Sequence, residues 1–135
     1  MLVYAIVKFI VYCLWCFIGL RLLAPAHARP VAAIGYGALR WLLGLGLGIG
    51  VFILAGSIKQ ESAGLLYLLI YTPLRVVEWG IIAAILLGRY KVGKSGGIYA
   101  RVISWVAGGI LVSYLSDMVS PEGLAGKFCV GRCLC

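Results

Sequence analysis

Arg75 and Glu78 stand three residues apart in the stretch Tyr71-Thr72-Pro73-Leu74-Arg75-Val76-Val77-Glu78-Trp79, in the middle of a long apolar run. On a helix that spacing puts both side chains on one face. If the helix spans a membrane, each uncompensated charge at its centre costs roughly 2.5–3.5 kcal/mol, so such residues pair, face a cavity, or handle ions or ligands. Pro73 marks the same place, because a proline inside a helix removes one N–H and crowds the carbonyl four residues earlier, that of Leu69.

The other reactive side chains are less directed. Cys13-Leu14-Trp15-Cys16 has C-x-x-C spacing but lies inside an apolar segment, where free cysteine is an ordinary small hydrophobe. Cys129, Cys133 and Cys135 crowd the last seven residues, and a disulfide or a contact with a partner is the leading reading for them. Three cysteines without a nearby histidine do not complete a closed zinc site. His27 reads as a solvated residue of a connection, and Asp117, with Ser113 and Ser116, as the solvated end of the last apolar run. Gly93-Lys94-Ser95 matches only the end of a phosphate-binding loop. No residue set points to a catalytic group, a metal centre or a cofactor.

The elements that must carry these residues follow from composition. The chain has 135 residues, mean hydropathy +1.10, 64% hydrophobic residues and 12% charged ones, too apolar for a soluble domain of its size. About 20 helical residues cross a hydrocarbon core of roughly 30 Å. Four runs qualify, at about 1–24, 31–56, 64–87 and 98–118, separated by Pro25 to Pro30, by Ser57 to Ser62 and by Arg89 to Gly97. Short connections make sequential helices antiparallel neighbours. The expected fold is therefore an all-α membrane protein, four transmembrane helices in an up-down antiparallel bundle over residues 1–118, with a cysteine-rich tail at 119–135. Ala26-His27-Ala28 resembles a signal-cleavage site, but the apolar stretch before it is long and Lys8 interrupts it, so the first run is expected to remain as a helix.

Twelve Lys and Arg against four Asp and Glu give a formal charge of +8. The basic residues are scattered with no dense run or stacking platform, which argues against nucleic acid and for anionic lipid headgroups as the counterpart. Arg21, Arg29, Arg89, Lys91, Lys94 and Arg101 collect around the first and third connections. The positive-inside rule then puts those connections in the cytoplasm and both termini on the non-cytoplasmic side. The second run carries Gly44, Gly46, Gly48 and Gly50, two interleaved small-xxx-small pairs that allow close helix approach, here expected within the same chain.

In an antiparallel hairpin, residues equally far from the midpoint of the connection share a depth, since each helical residue rises about 1.5 Å. Reflection across the second connection carries Glu78 to the neighbourhood of Arg40 and Trp41, across the first carries Arg40 to Trp15 and Cys16, and across the third carries Glu78 close to Ser104 and Trp105. The result is a mid-membrane layer of Cys13, Trp15, Cys16, Arg40, Trp41, Arg75, Glu78, Trp79, Ser104 and Trp105, with one tryptophan from each helix and with Arg40, Arg75, Glu78 and the four tryptophans as the candidate ligand-binding residues. Arg40 is expected to complete an Arg–Glu–Arg cluster.

These residues support three function classes. The first is a small polytopic membrane protein that binds or transports a small charged or amphipathic ligand through the Arg/Glu/Trp cluster. In size and helix count the chain resembles small multidrug transporters and small fluoride channels, an architectural likeness without shared motifs. The alternative is a non-catalytic accessory subunit of a larger membrane complex, or a homo-oligomer, docking through the glycine-rich helix and the cysteine tail. A membrane enzyme ranks last, because no nucleophile with an acid–base pair emerges at a defined spacing.

Overall fold

A computed structural model describes residues 2–55, 64–90 and 96–119 of the chain. Those residues form four long helices, α1 (Leu2–Leu23), α2 (Pro30–Ala55), α3 (Gly64–Tyr90) and α4 (Gly96–Met118), with a single turn of 3-10 helix at Pro25–His27. Among the described residues there is no strand. Each helix is long and apolar enough to cross a bilayer, and the protein is an integral, multi-pass membrane protein.

The helix ends follow local chemistry. Pro30 opens α2 at the first position of a helix, where its missing N–H has no intrahelical role. α3 runs to Tyr90, one turn past the expected end at 87, with Arg89 in its last turn where a cation suits the negative end of the helix dipole. α3 also continues through Pro73. Beside it, the Thr72 hydroxyl donates to the Leu68 carbonyl (2.6 Å) and bonds the Tyr114 hydroxyl on α4.

The helices surround the core in chain order, with α1 packed most extensively on α2, α4 closing against both α3 and α1, and α2 on α3 the least packed of the four neighbouring pairs. Burial runs at helical spacing on each. On α3 the hidden positions are Arg75, Glu78, Trp79, Ile82, Ala83 and Leu86, and on α4 they are Trp105, Gly109, Ser113, Ser116 and Asp117. The outward faces carry Ile6, Ile10, Leu14, Ile18 and Leu22 on α1 and Val76, Val77, Ile81 and Ile85 on α3. This inverts the soluble pattern. Hydrocarbon solvates apolar side chains outside, and the polar ones turn inward.

Packing is tightest where glycines meet indoles. Trp15 on α1 donates to the Trp105 carbonyl (3.1 Å), and Trp105 on α4 donates to the Trp15 carbonyl (3.0 Å), a reciprocal clasp between two helices that no connection joins. A Cβ added at Gly19 would strike Trp105, and one at Gly108 would strike Trp15. Trp79 meets Trp105 edge to face with centroids 5.3 Å apart, a favoured aromatic geometry. At Gly109 an added Cβ would lie 2.7 Å from the Trp79 ring, whereas at Gly88 it would meet nothing within 4 Å. Gly109→Val should therefore lower stability by about 1–3 kcal/mol through overpacking, and Gly88→Val should stay within about 0.5 kcal/mol of the parent, as read from thermal unfolding of the purified protein in detergent.

Candidate functional site

Five ionisable side chains from all four helices meet inside the bundle: Lys8 (α1), Arg40 (α2), Arg75 and Glu78 (α3) and Asp117 (α4). Helical periodicity puts them there. Lys8 lies one turn from the buried Tyr4 and Tyr12, Arg40 continues the buried line of Ala33, Tyr36 and Gly37, and Asp117 ends the line of Gly109 and Ser113. Arg40, Arg75, Glu78 and Asp117 are all buried, at 5% exposure or less. A charge so placed needs a partner inside the protein.

The charges sort into two centres. In the middle of the bundle, Arg40 Nη2 sits 2.5 Å from Glu78 Oε2. Its guanidinium lies between the Tyr12 ring (4.8 Å to the centroid) and the Trp79 ring (5.0 Å), so an ion pair and two cation–π contacts hold one cation. Ser113 braces this centre. It accepts from Trp79 Nε1 (3.1 Å), receives a longer contact from Arg40 Nη2 (3.4 Å), and donates its own proton to the Gly109 carbonyl (2.8 Å).

The second centre lies toward the end of the bundle where α1 begins and α4 ends. Asp117 accepts from Lys8 Nζ at 2.6 Å and from the Tyr4 hydroxyl at 2.7 Å through Oδ1, and pairs with Arg75 through Oδ2. Lys8 also donates to the Tyr4 hydroxyl (3.0 Å), and Arg75 lies over the Tyr114 ring (4.3 Å). Asp117 is thus a buried hub and not the solvated helix end that its position suggests. The expected Arg–Glu–Arg cluster is likewise divided: Glu78 pairs with Arg40, and Arg75 reaches Asp117.

Between α1, α2 and α3 these centres border a cavity of about 70 Å³. Its wall includes Lys8, Arg40, Arg75 and Glu78, with Tyr4, Tyr12 and Tyr71 as hydroxyl bearers and Leu45, Leu47 and Leu74 as apolar surface. Along α1 the lining runs from Tyr4 to Tyr12, eight residues or about 12 Å of a hydrocarbon layer roughly 30 Å thick. Past that depth the interior holds Trp79 and Trp105, then Leu20, Ile82 and Leu86, all fully buried. The cavity extends from near the start of α1 to about its middle. Gly44 leaves it room, since a Cβ there would lie 3.0 Å from Arg40 Nη1 and 3.6 Å from Glu78 Oε1.

Of the residues singled out by type and spacing, the structure brings Arg40, Arg75, Glu78 and Trp41 to the cavity wall. Trp79 lies under Arg40, fully buried and outside the cavity lining. Trp15 and Trp105 belong to the interhelical clasp, and Ser104 is exposed. Cys129, Cys133 and Cys135 lie outside the described residues. Cys16 is buried, Cys13 is half-buried, and both are free thiols. Spacing alone misses Lys8, Asp117, Tyr4, Tyr12, Ser113 and the special place of Gly44.

Comparison of the chain with protein families, curated proteins and solved structures finds no match in any of the three.

Removing one member of a buried ion pair costs about 3–5 kcal/mol because the other charge is left behind, whereas replacing both with apolar groups is often neutral. Asp117→Leu and Arg75→Met should therefore each destabilise the protein by about 3–5 kcal/mol, and the double variant should recover part of that loss, since Lys8 still lacks its carboxylate. Unfolding midpoints of the four proteins in detergent, arranged as a double-mutant cycle, check both.

Proposed function

We propose that the protein binds a small charged molecule in the cavity between α1, α2 and α3, and exchanges it with the side of the membrane on which both termini lie. One observation carries this reading. Costly charged groups are gathered around an internal space at membrane depth, with Lys8, Arg40, Arg75 and Glu78 all on its wall. A purely structural set of ion pairs gains nothing from a void beside it, since packing against neighbouring atoms would stabilise it further. The size of the cavity, several times the roughly 10–15 Å³ that admits one water, favours a small ligand over a bulky amphipathic one. The fully buried Trp79 and Trp105 favour binding and release from one side, with passage to the other requiring them to rearrange.

The side on which the termini lie rests on charge. Arg21, Arg29, Arg89 and Arg101 are exposed around the opposite end of the bundle. Cationic residues there favour the cytoplasmic face and anionic headgroups, which assigns the cavity mouth to the non-cytoplasmic side.

A second reading, an accessory subunit or homo-oligomer docking through α2, draws on a different observation. Gly46 and Gly50 are one turn apart, and a Cβ added at either would meet nothing within 4 Å, so this small-xxx-small pair is not used for packing within the described chain.

The two readings separate cleanly at neighbouring glycines. Gly44→Val should cut uptake or binding of small charged solutes by reconstituted protein by about tenfold or more, while Gly46→Val should leave it within about twofold of the parent. Solute uptake into proteoliposomes and the elution volume of each variant in detergent are the measurements. Uptake equal in both variants, with oligomer size lost only in Gly46→Val, favours the accessory-subunit reading.

A further inference from the structure

We infer that the ligand of this cavity is a small monocarboxylate anion, an inference that rests on the ligand-binding reading above and names its substrate class. Three cationic side chains, Lys8, Arg40 and Arg75, line the wall against the single carboxylate of Glu78. Asp117 is not part of the lining, and from outside it fixes Lys8 and Arg75 in place. With Asp117 counted, three cations face two carboxylates, and the one formal positive charge in excess is one that a bound anion would offset.

The donors also match a planar oxyanion. Guanidinium groups present several N–H bonds in a rigid fork that suits carboxylates. Arg40 meets Glu78 through Nη2, and its buried Nε has no hydrogen-bond partner. Donor capacity is therefore left over on a side chain that is 2% exposed. The Tyr12 hydroxyl on the same wall can donate as well.

The apolar part of the wall selects the group attached to the carboxylate. Leu45, Leu47 and Leu74 share the cavity with the charges, which suits a short alkyl tail better than a bare halide or a second charge. A cavity of about 70 Å³, several times the roughly 10–15 Å³ that admits one water, has room for a carboxylate with a short tail.

The experiment is a titration of the full-length protein in detergent, at neutral pH and constant ionic strength, with sodium acetate, sodium propionate, sodium chloride and methylammonium. Trp41, on the cavity wall, reports occupancy by its fluorescence. Acetate and propionate should give saturable changes at concentrations where chloride and methylammonium give none. Lys8→Gln, which removes a wall cation, should weaken propionate binding by about tenfold; Glu78→Gln, which removes the wall carboxylate, should tighten it; and Gly44→Val should abolish it. If Glu78→Gln does not fold, Lys8→Gln decides the sign alone, because Lys8 is the most exposed of the wall charges.

Chloride saturating as tightly as propionate overturns the carboxylate assignment, as do Lys8→Gln and Glu78→Gln shifting affinity in the same direction. Methylammonium saturating in place of the anions overturns it too, but leaves the ligand-binding reading standing. Folded parent protein that saturates with none of the four solutes contradicts both.

Discussion

A charge placed in hydrocarbon has to find its counter-charge inside the bundle, and the arrangement of all four helices follows from meeting that demand. Each helix contributes to it: Lys8 from α1, Arg40 from α2, Arg75 and Glu78 from α3, Asp117 from α4. Because partners come from different helices, the pairs act as register pins. Sliding α4 by one turn against α3 would move Arg75 and Asp117 about 5.4 Å apart and break their pair in a medium that tolerates neither charge alone. Apolar contacts cannot enforce register so sharply, since lipid tails are as apolar as leucine and the outer faces lose little by moving. Aromatic rings then finish what the ion pairs begin, with Tyr12 and Trp79 enclosing Arg40 and Tyr114 covering Arg75.

Below the charges lies a second layer with a different job. The Trp15–Trp105 clasp ties α1 to α4, and Trp79 joins it edge to face while donating to Ser113 in the charged centre. Glycine makes both layers feasible. Gly19, Gly108 and Gly109 admit the indoles, and Gly44 keeps open the space beside Arg40 and Glu78. The bundle is thus filled by tryptophan near its middle and holds its cavity toward the end where α1 begins.

Much of this is legible in the residues. Four runs of hydropathy give the helices to within a few residues, because the hydrocarbon thickness sets their length. Reflection across the connections places Arg40 and Glu78 at one level, and the structure pairs them. Asp117 escapes the reflection rule when it is applied only between helices joined by a connection. Carrying position 8 through all three reflections reaches about Leu47, Pro73 and then Ser113, one turn from Asp117, so the Lys8 contact is within reach of the same arithmetic. The division of Arg40 and Arg75 between two carboxylates is harder to foresee. An arginine side chain reaches further than one helical turn, and depth alone does not choose among the acids inside that radius. Which tryptophans line the cavity and which lock helices together depends on helix rotation, and apolar residues on every side of a membrane helix give the sequence little to orient by.

Solvent access to the cavity wall separates a space open to small solutes from a sealed set of ion pairs. Cysteines introduced one at a time at Leu47, on the cavity wall, and at Ile49, on the outward face of α2, in a background with the five native cysteines replaced, test it through their rates of reaction with a small anionic methanethiosulfonate in membranes. Leu47→Cys should react at least about tenfold faster than Ile49→Cys, and faster with the anionic than with a cationic reagent, because only a wetted thiol ionises and reacts readily. Equal, slow labelling at both positions would contradict an open, charged cavity.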